Sequence, residues 1–186
     1  MEVLPVVNCP DFACVRQRLL QANGLFAEAH VEAARRWVHL DVADGTFASI
    51  ETWNDPSALA SDAELAALSL HLEVHLMVRD PDAAASAWLA AGAARLVVHV
   101  ETVRNLTSLA ERCRAAGAGV MLALSPATPV DRLVPYLSTV SFVQVLAVPP
   151  GLSGQRFRPE GVAKIRWIKT CAPHVTVEVD GGITLE

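Results

Sequence analysis

Four side chains that could bind a cation or move a proton stand at matched places in this sequence. They are His39 and Asp41 in "WVHLDVADGTF" (37–47), His75 in "LEVHLMV" (72–78) and Asp180 in "VTVEVD" (175–180). Two imidazoles and two carboxylates make a donor set suited to zinc, iron, manganese or cobalt, and carboxylates also serve as general acids and bases. Each lies in a short β-branched run whose side chains alternate faces, so His39 and Asp41 share one face while Val38, Leu40 and Val42 share the other. The same parity groups Glu73, His75 and Met77, pairs His99 with Glu101, and joins Thr176, Glu178 and Asp180. A lone buried histidine is often only structural, and a hydrogen-bonded internal network is the plainer alternative. Several buried charges together cost several kcal/mol each unless a metal or partner offsets them. One divalent ion held by His39, Asp41, His75 and Asp180 is therefore expected, with His99, Glu101 and Glu178 orienting those ligands. Asp44 in "ADGTF" suits a turn, and a structural and a site role stay open for it. His30, His71 and His174 have no such company.

Seven short runs must position these groups: "VLPVV" (3–7), "WVHLDV" (37–42), "LEVHLMV" (72–78), "RLVVHV" (95–100), "GVMLAL" (119–124), "SFVQVLAV" (141–148) and "VTVEVD" (175–180). Between them lie stretches of helical spacing, such as Leu106, Leu109, Ala110, Cys113 and Ala116. Pro81 after Asp80 reads as a helix start, and Gly92 and Gly117 as helix stops. The interval between these glycines gives a strand-helix unit of about 25 residues, the rhythm of alternating α/β architecture. Parallel strands with helices outside follow, in an eight-stranded barrel or an open doubly wound sheet. No G-x-G-x-x-G follows the first strand, which lowers the dinucleotide-binding reading. In a barrel the outward strand face is covered by helices, so the polar residues must point inward, toward the strand ends where such barrels do chemistry. "VPPGLSGQRF" (148–157) carries Gly151 and Gly154 in a loop able to present amides to an anion, and "DGG" (180–182) adds a second glycine pair.

At 186 residues, 52% hydrophobic and 19% charged, the chain has the length and composition of one soluble domain, residues 1–186. A net charge of -5 without any dense basic run gives no footprint for nucleic acid or an anionic membrane. "MEVLPVVNCPDF" places Glu2 where a secretory leader needs positive charge, and no apolar run approaches the roughly 20 residues of a membrane span, so a cytoplasmic location is expected. Cys9, Cys14, Cys113 and Cys171 form no CxxC pair and are expected as packed thiols in a reducing compartment.

Taken in order, His39-x-Asp41-x-x-Asp44-Gly45-x-Phe47, "EVHLMV", "HVE", "SPATP", "PGLSGQRF" and "VEVDGG" make the chain resemble the ribulose-phosphate 3-epimerase family, from about residue 4 to the last residue. The resemblance implies a TIM barrel that interconverts ribulose 5-phosphate and xylulose 5-phosphate. It puts His39, Asp41, His75 and Asp180 at metal positions and makes Asp41 and Asp180 the acid/base pair. His75, Gly151, Leu152, Ser153, Gly154, Gly181 and Gly182 would contact substrate and phosphate. The chain departs from the family at Val6, where serine is usual, at Ala43 and Leu146, which replace methionines while Met77 is kept, and at Ile50, where asparagine is usual. It also ends before the family's eighth strand, so the expected fold is α/β, a TIM (β/α)8-type barrel truncated after strand seven. Unpaired edges there allow a homo-oligomer. The alternatives are an epimerase for allulose 6-phosphate, or an inactive barrel of the same family. A decarboxylase or aldolase-type barrel lacks support, since no strand carries Asp-x-Lys-x-x-Asp.

Overall fold

The computed structural model describes residues 2–184. All seven expected strands form, as β1 (Val6–Val7), β2 (Trp37–Ala43), β3 (His71–Met77), β4 (Ala93–His99), β5 (Gly119–Leu124), β6 (Phe142–Leu146) and β7 (Thr176–Asp180). They make one sheet in sequence order, every neighbouring pair parallel. β1 is shorter than its β-branched run because Pro5 has no N–H to give to a ladder; its carbonyl still accepts from His39 N–H at 3.0 Å.

The connections are α1 (Phe12–Glu28), α2 (Pro56–Ser61), α3 (Ala63–Ala66), α4 (Pro81–Ala90), α5 (Leu106–Ala115) and α6 (Glu160–Cys171). Local chemistry sets their ends. Asp80 caps α4 by accepting from Ala83 N–H, with Pro81 in the first turn, and Asn105 caps α5 through Ser108 N–H. Leu106, Leu109 and Cys113 are the buried stripe of α5, as the spacing requires, while Ala116 falls beyond its end. The outward strand residues Leu40, Val74, Leu76, Leu96, Leu122 and Val143 are fully buried beneath the helices, with Leu19, Trp88, Leu109 and Ile168 packed over them.

The inward face is divided. On β4, β5 and β6 it carries an apolar patch of Val97, Met121, Ala123 and Leu146, with Arg95, His99 and Gln144 as polar members. On β2, β3 and β7 it is mainly polar, with His39, Asp41, Glu73, His75, Glu178 and Asp180. The sheet is strongly curled, for ligand atoms on β2, β3 and β7 lie within 4.8 Å of one another although β7 is five places from β2 in strand order. Among the described residues β1 and β7 are the edges of this open barrel. The expected domain boundaries, Met1 and Glu186, lie outside the described residues. No described helix is long and apolar enough to cross a membrane.

The cysteines correct the expectation of four packed thiols. Cys9 and Cys14 form a disulfide, with Cα atoms 5.7 Å apart. Cys9 ends the chain segment after β1, and Asp11 accepts from Cys14 N–H as it caps α1, so the helix start folds Cys14 back onto Cys9. Spacing alone does not reveal that return. Cys113 is free and buried, and Cys171 is free and exposed.

Candidate active site

β2 and β3 run in register with His39 opposite Glu73 and Asp41 opposite His75, which stacks two polar rungs inside the barrel. Asp41 Oδ1 lies 3.1 Å from His75 Nδ1 and 3.3 Å from His39 Nε2, and those two nitrogens are 3.3 Å apart. Asp180, at the end of β7 opposite Leu146, completes the cluster within 4.8 Å. The structure thus brings together all four residues singled out as ligands.

Hydrogen bonds farther out fix which nitrogens carry protons. Glu73 Oε1 lies 2.7 Å from His39 Nδ1, so that nitrogen donates and Nε2 presents its lone pair. Glu101 Oε2 lies 3.2 Å from His99 Nδ1, which leaves His99 Nε2 as acceptor for His75 Nε2–H at 2.9 Å. His75 Nδ1 is then also a lone pair. With both imidazoles neutral, two nitrogen lone pairs and a carboxylate oxygen converge on one point, an arrangement that a cation or an added proton satisfies.

The dimensions suit a metal. An ion about 2.0–2.1 Å from tetrahedral ligands spaces them about 3.3–3.4 Å apart, close to the three separations here. Protonation answers the same need: despite burial, hydrogen bonds and charge from Asp41 and Glu73 lift His39 well above its ordinary pKa. Burial also opposes ionisation of Asp41, yet His39 and His75 hold its carboxyl far below the usual carboxylate range. Burial lowers His99 to about 4, in keeping with its role as a neutral link.

The supporting residues fall into two unequal groups. His99 and Glu101 line up behind His75 as expected, and Glu101 is itself held by Ser125 N–H at 2.9 Å and by the Thr128 hydroxyl. Lys164 secures that loop by donating to the carbonyls of Ser125, Pro126 and Thr128. Glu178, by contrast, is 3.8 Å from His39 Nδ1 and takes its hydrogen bond from Gln144 Nε2 at 2.8 Å; Glu73 is the carboxylate that holds His39. Burial and the charge of Glu73 raise Glu178 to about 7. Arg95 in turn binds Glu73 at 2.6 Å. Strand parity points Glu73, Arg95 and Gln144 inward with the ligands, a signal that identifies their face but not their partners. Asn8 was missed as well: it donates to Asp41 Oδ2 at 2.9 Å.

Asp44 is structural. Its Oδ1 accepts from Thr46 and Phe47 N–H and its Oδ2 from Arg79 N–H at 2.7 Å, tying the loop after β2 to the end of β3. That loop lays Ala48, Phe47 and Ile50 against Ala43 and Met77. His30, His71 and His174 take no part in the cluster.

The two glycine loops come together. Gly182 has φ +68°, and a Cβ there would fall 2.3 Å from Phe157 N, so the "DGG" turn presses backbone to backbone on "VPPGLSGQRF". Gln155 Nε2 braces the latter loop by donating to the carbonyls of Pro149 and Leu152. Leu152, Ser153 and Gly154 are exposed, and Gly181 and Gly182 half-buried, at the carboxyl ends of the strands.

Parallel strands curled into an open barrel, with a cation-capable cluster at their carboxyl ends, define a barrel-type α/β enzyme. At the level of fold alone, a structure of tryptophan synthase from Mycobacterium tuberculosis aligns with a TM-score of 0.56 at 15% identity, over 97% of this chain and 75% of that one. The sequence comparisons are more particular. The model of the ribulose-phosphate 3 epimerase family matches residues 15–186. The ribulose-phosphate 3-epimerase of Mycobacterium leprae is 32% identical over 188 residues, covering 99% of this chain and 78% of the relative. The cytoplasmic isoform of Oryza sativa subsp. japonica is 32% identical over 161 residues, covering 84% and 69%. The chain belongs to the ribulose-phosphate 3-epimerase family, whose members are isomerases acting on sugar phosphates.

Proposed function

We propose that the chain is a metal-dependent epimerase that inverts C3 of a ketose phosphate, interconverting ribulose 5-phosphate and xylulose 5-phosphate through an enediolate. The observation that carries the reading is the convergence of His39 Nε2, His75 Nδ1 and Asp41 Oδ1 within 3.3 Å of one another. His39, Asp41, His75 and Asp180 would hold one divalent ion, zinc, iron, manganese or cobalt. Bound there, the ion would supply Lewis-acid stabilisation of negative charge on the substrate oxygens.

Inversion requires that the proton beside the carbonyl leave from one face and another arrive on the opposite face. Asp41 and Asp180 reach the centre from β2 and β7, strands from different sides of the curled sheet. One carboxylate takes the C3 proton and the other, protonated, returns one to the far face; the roles reverse for the reverse reaction. His75 borders the substrate space. The amides of Gly151, Leu152, Ser153 and Gly154, with those of Gly181 and Gly182, would take the phosphate. A cytoplasmic location, as in the rice relative's name, belongs to this reading, and there the Cys9–Cys14 pair would meet reducing conditions.

The test is turnover in D₂O with Asp41→Asn and Asp180→Asn alongside the parent. Deuterium should appear at C3 of the product, and each variant should lose roughly 10²–10⁴-fold in turnover. Product without C3 deuterium, or near-normal turnover by Asp180→Asn, would remove the two-carboxylate mechanism.

A further inference from the structure

Asn8 follows β1 and shares the inward parity of Val6, which pairs with His39. Its Nδ2 makes two hydrogen bonds, 2.9 Å to Asp41 Oδ2 and 3.1 Å to the Gly151 carbonyl. Both partners are acceptors, so the NH₂ end of the amide must face them, one proton to each. The other oxygen of Asp41 is already committed to His39 and His75. The backbone beneath is fixed too, because the Thr52 hydroxyl donates to the Asp41 carbonyl at 3.0 Å and accepts from Ala43 N–H at 2.9 Å. With Oδ1 among the imidazole nitrogens, Oδ2 is the oxygen left to exchange a proton with C3. Asn8 sets its direction.

The second bond has a different consequence. Holding the Gly151 carbonyl fixes the plane of the Gly151–Leu152 peptide, and in a trans peptide the Leu152 N–H then points to the opposite side. One amide therefore spans residues 143 apart in sequence, from the carboxylate of β2 to the loop after β6. Its own base is held by the backbone, where the Cys9 carbonyl accepts from Trp53 N–H at 2.8 Å.

We infer that Asn8 is a positioning residue for the Asp41 half of the epimerisation, aiming Oδ2 at the C3 proton and setting the distance between that carboxylate and the phosphate loop. The inference rests on the reading of Asp41 as one of the two acid/base groups. Asn8→Leu keeps the size and removes both donors; Asn8→Ser, smaller and polar, serves if the leucine variant does not fold. Turnover should fall by about 10–100-fold, the scale for groups that orient a catalytic residue. Because the equilibrium constant is fixed, both directions slow together, so rate alone does not identify the step.

The discriminating measurement is the isotope effect with C3-deuterated ribulose 5-phosphate and with C3-deuterated xylulose 5-phosphate. It should grow for one epimer only, the one whose proton Asp41 removes, whereas a merely structural role moves both alike. Calorimetry with inorganic phosphate gives a readout independent of turnover, and its affinity should fall severalfold in Asn8→Leu. Equal changes for both epimers, near-parent turnover, or unchanged phosphate affinity would overturn the inference. Asp41→Asn, run in parallel, separates the two levels. If it abolishes turnover while Asn8→Leu does not act selectively, only the role of Asn8 falls; if it retains near-normal turnover, the acid/base reading and this inference fall together.

Discussion

Arg95 offers the sharpest test of how the interior is held. Its guanidinium sits between the rings of Trp37 and Phe142, 4.3 and 4.2 Å from their centroids, and its Nη1 reaches Glu73 Oε2 at 2.6 Å. The Glu73 side chain is fully buried and that of Arg95 is 14% exposed. Arg95→Leu keeps apolar bulk but leaves the Glu73 carboxylate in the interior with only His39 to balance it. Removing one partner of a buried ion pair costs about 3–5 kcal/mol, and the two ring contacts are worth roughly 0.5–1 kcal/mol each. Since His39 still neutralises part of the charge, the lower end applies, about 3 kcal/mol. For a chain of this size that lowers Tm by about 6–12 °C. Glu73→Gln added to Arg95→Leu abolishes the orphaned charge, while its amide oxygen still accepts from His39 Nδ1–H. The double variant should therefore recover more than half of the loss. Urea unfolding of all four proteins of the cycle, followed by circular dichroism, measures the coupling. A cost under about 1 kcal/mol for Arg95→Leu, or strictly additive losses in the double variant, would refute the argument.

Two further outcomes follow from the same interior. Burial and Glu73 raise Glu178 from 4.5 to about 7, so the folded state binds this proton more tightly than the unfolded chain. Its contribution is fully present below about pH 4.5 and is lost as the pH rises to about 7, up to ~3 kcal/mol by linkage. Glu178→Gln should flatten that part of the stability profile, and an unchanged slope in urea melts across the window would count against it. His75→Ala should weaken binding of one divalent ion per chain by well over ~10-fold in chelator competition, while His174→Ala leaves it unchanged. Equal affinity in both variants would mean the cluster is not the metal site.

Much of this interior is readable before any coordinates. Strand parity places His39, Asp41, His75 and Asp180 on the inward face, and the two glycine loops meet as their order along a curled parallel sheet requires. What parity leaves open is the partner across the interior. Glu73 and Glu178 are both inward and both near His39, yet only distances show that Glu73 makes the 2.7 Å bond while Glu178 turns to Gln144. Asn8 joins Asp41 to Gly151 through the curl, which no local pattern encodes. The Cys9–Cys14 bond depends on how the chain re-enters at the capped start of α1, and so it escapes spacing rules.

The two carboxylates placed for proton transfer do not sit in equivalent surroundings. Asp41 is buried to 8% exposure, with both oxygens engaged and its backbone bonded through Thr52. Asp180 ends β7 at a half-buried position directly before Gly181 and Gly182, whose backbones pack on the neighbouring loop. Val97, Met121, Ala123 and Leu146 form a buried apolar wall on one flank of the interior, while Asp180, Gly181 and Gly182 are only half-buried. Preorganisation is thus concentrated on the Asp41 face, and exchange with solvent is easiest on the Asp180 face. An epimerase with such a site should wash deuterium from D₂O into unreacted substrate faster for the epimer that Asp180 deprotonates, because that carboxylate exchanges its proton before the enediolate is quenched from the other side.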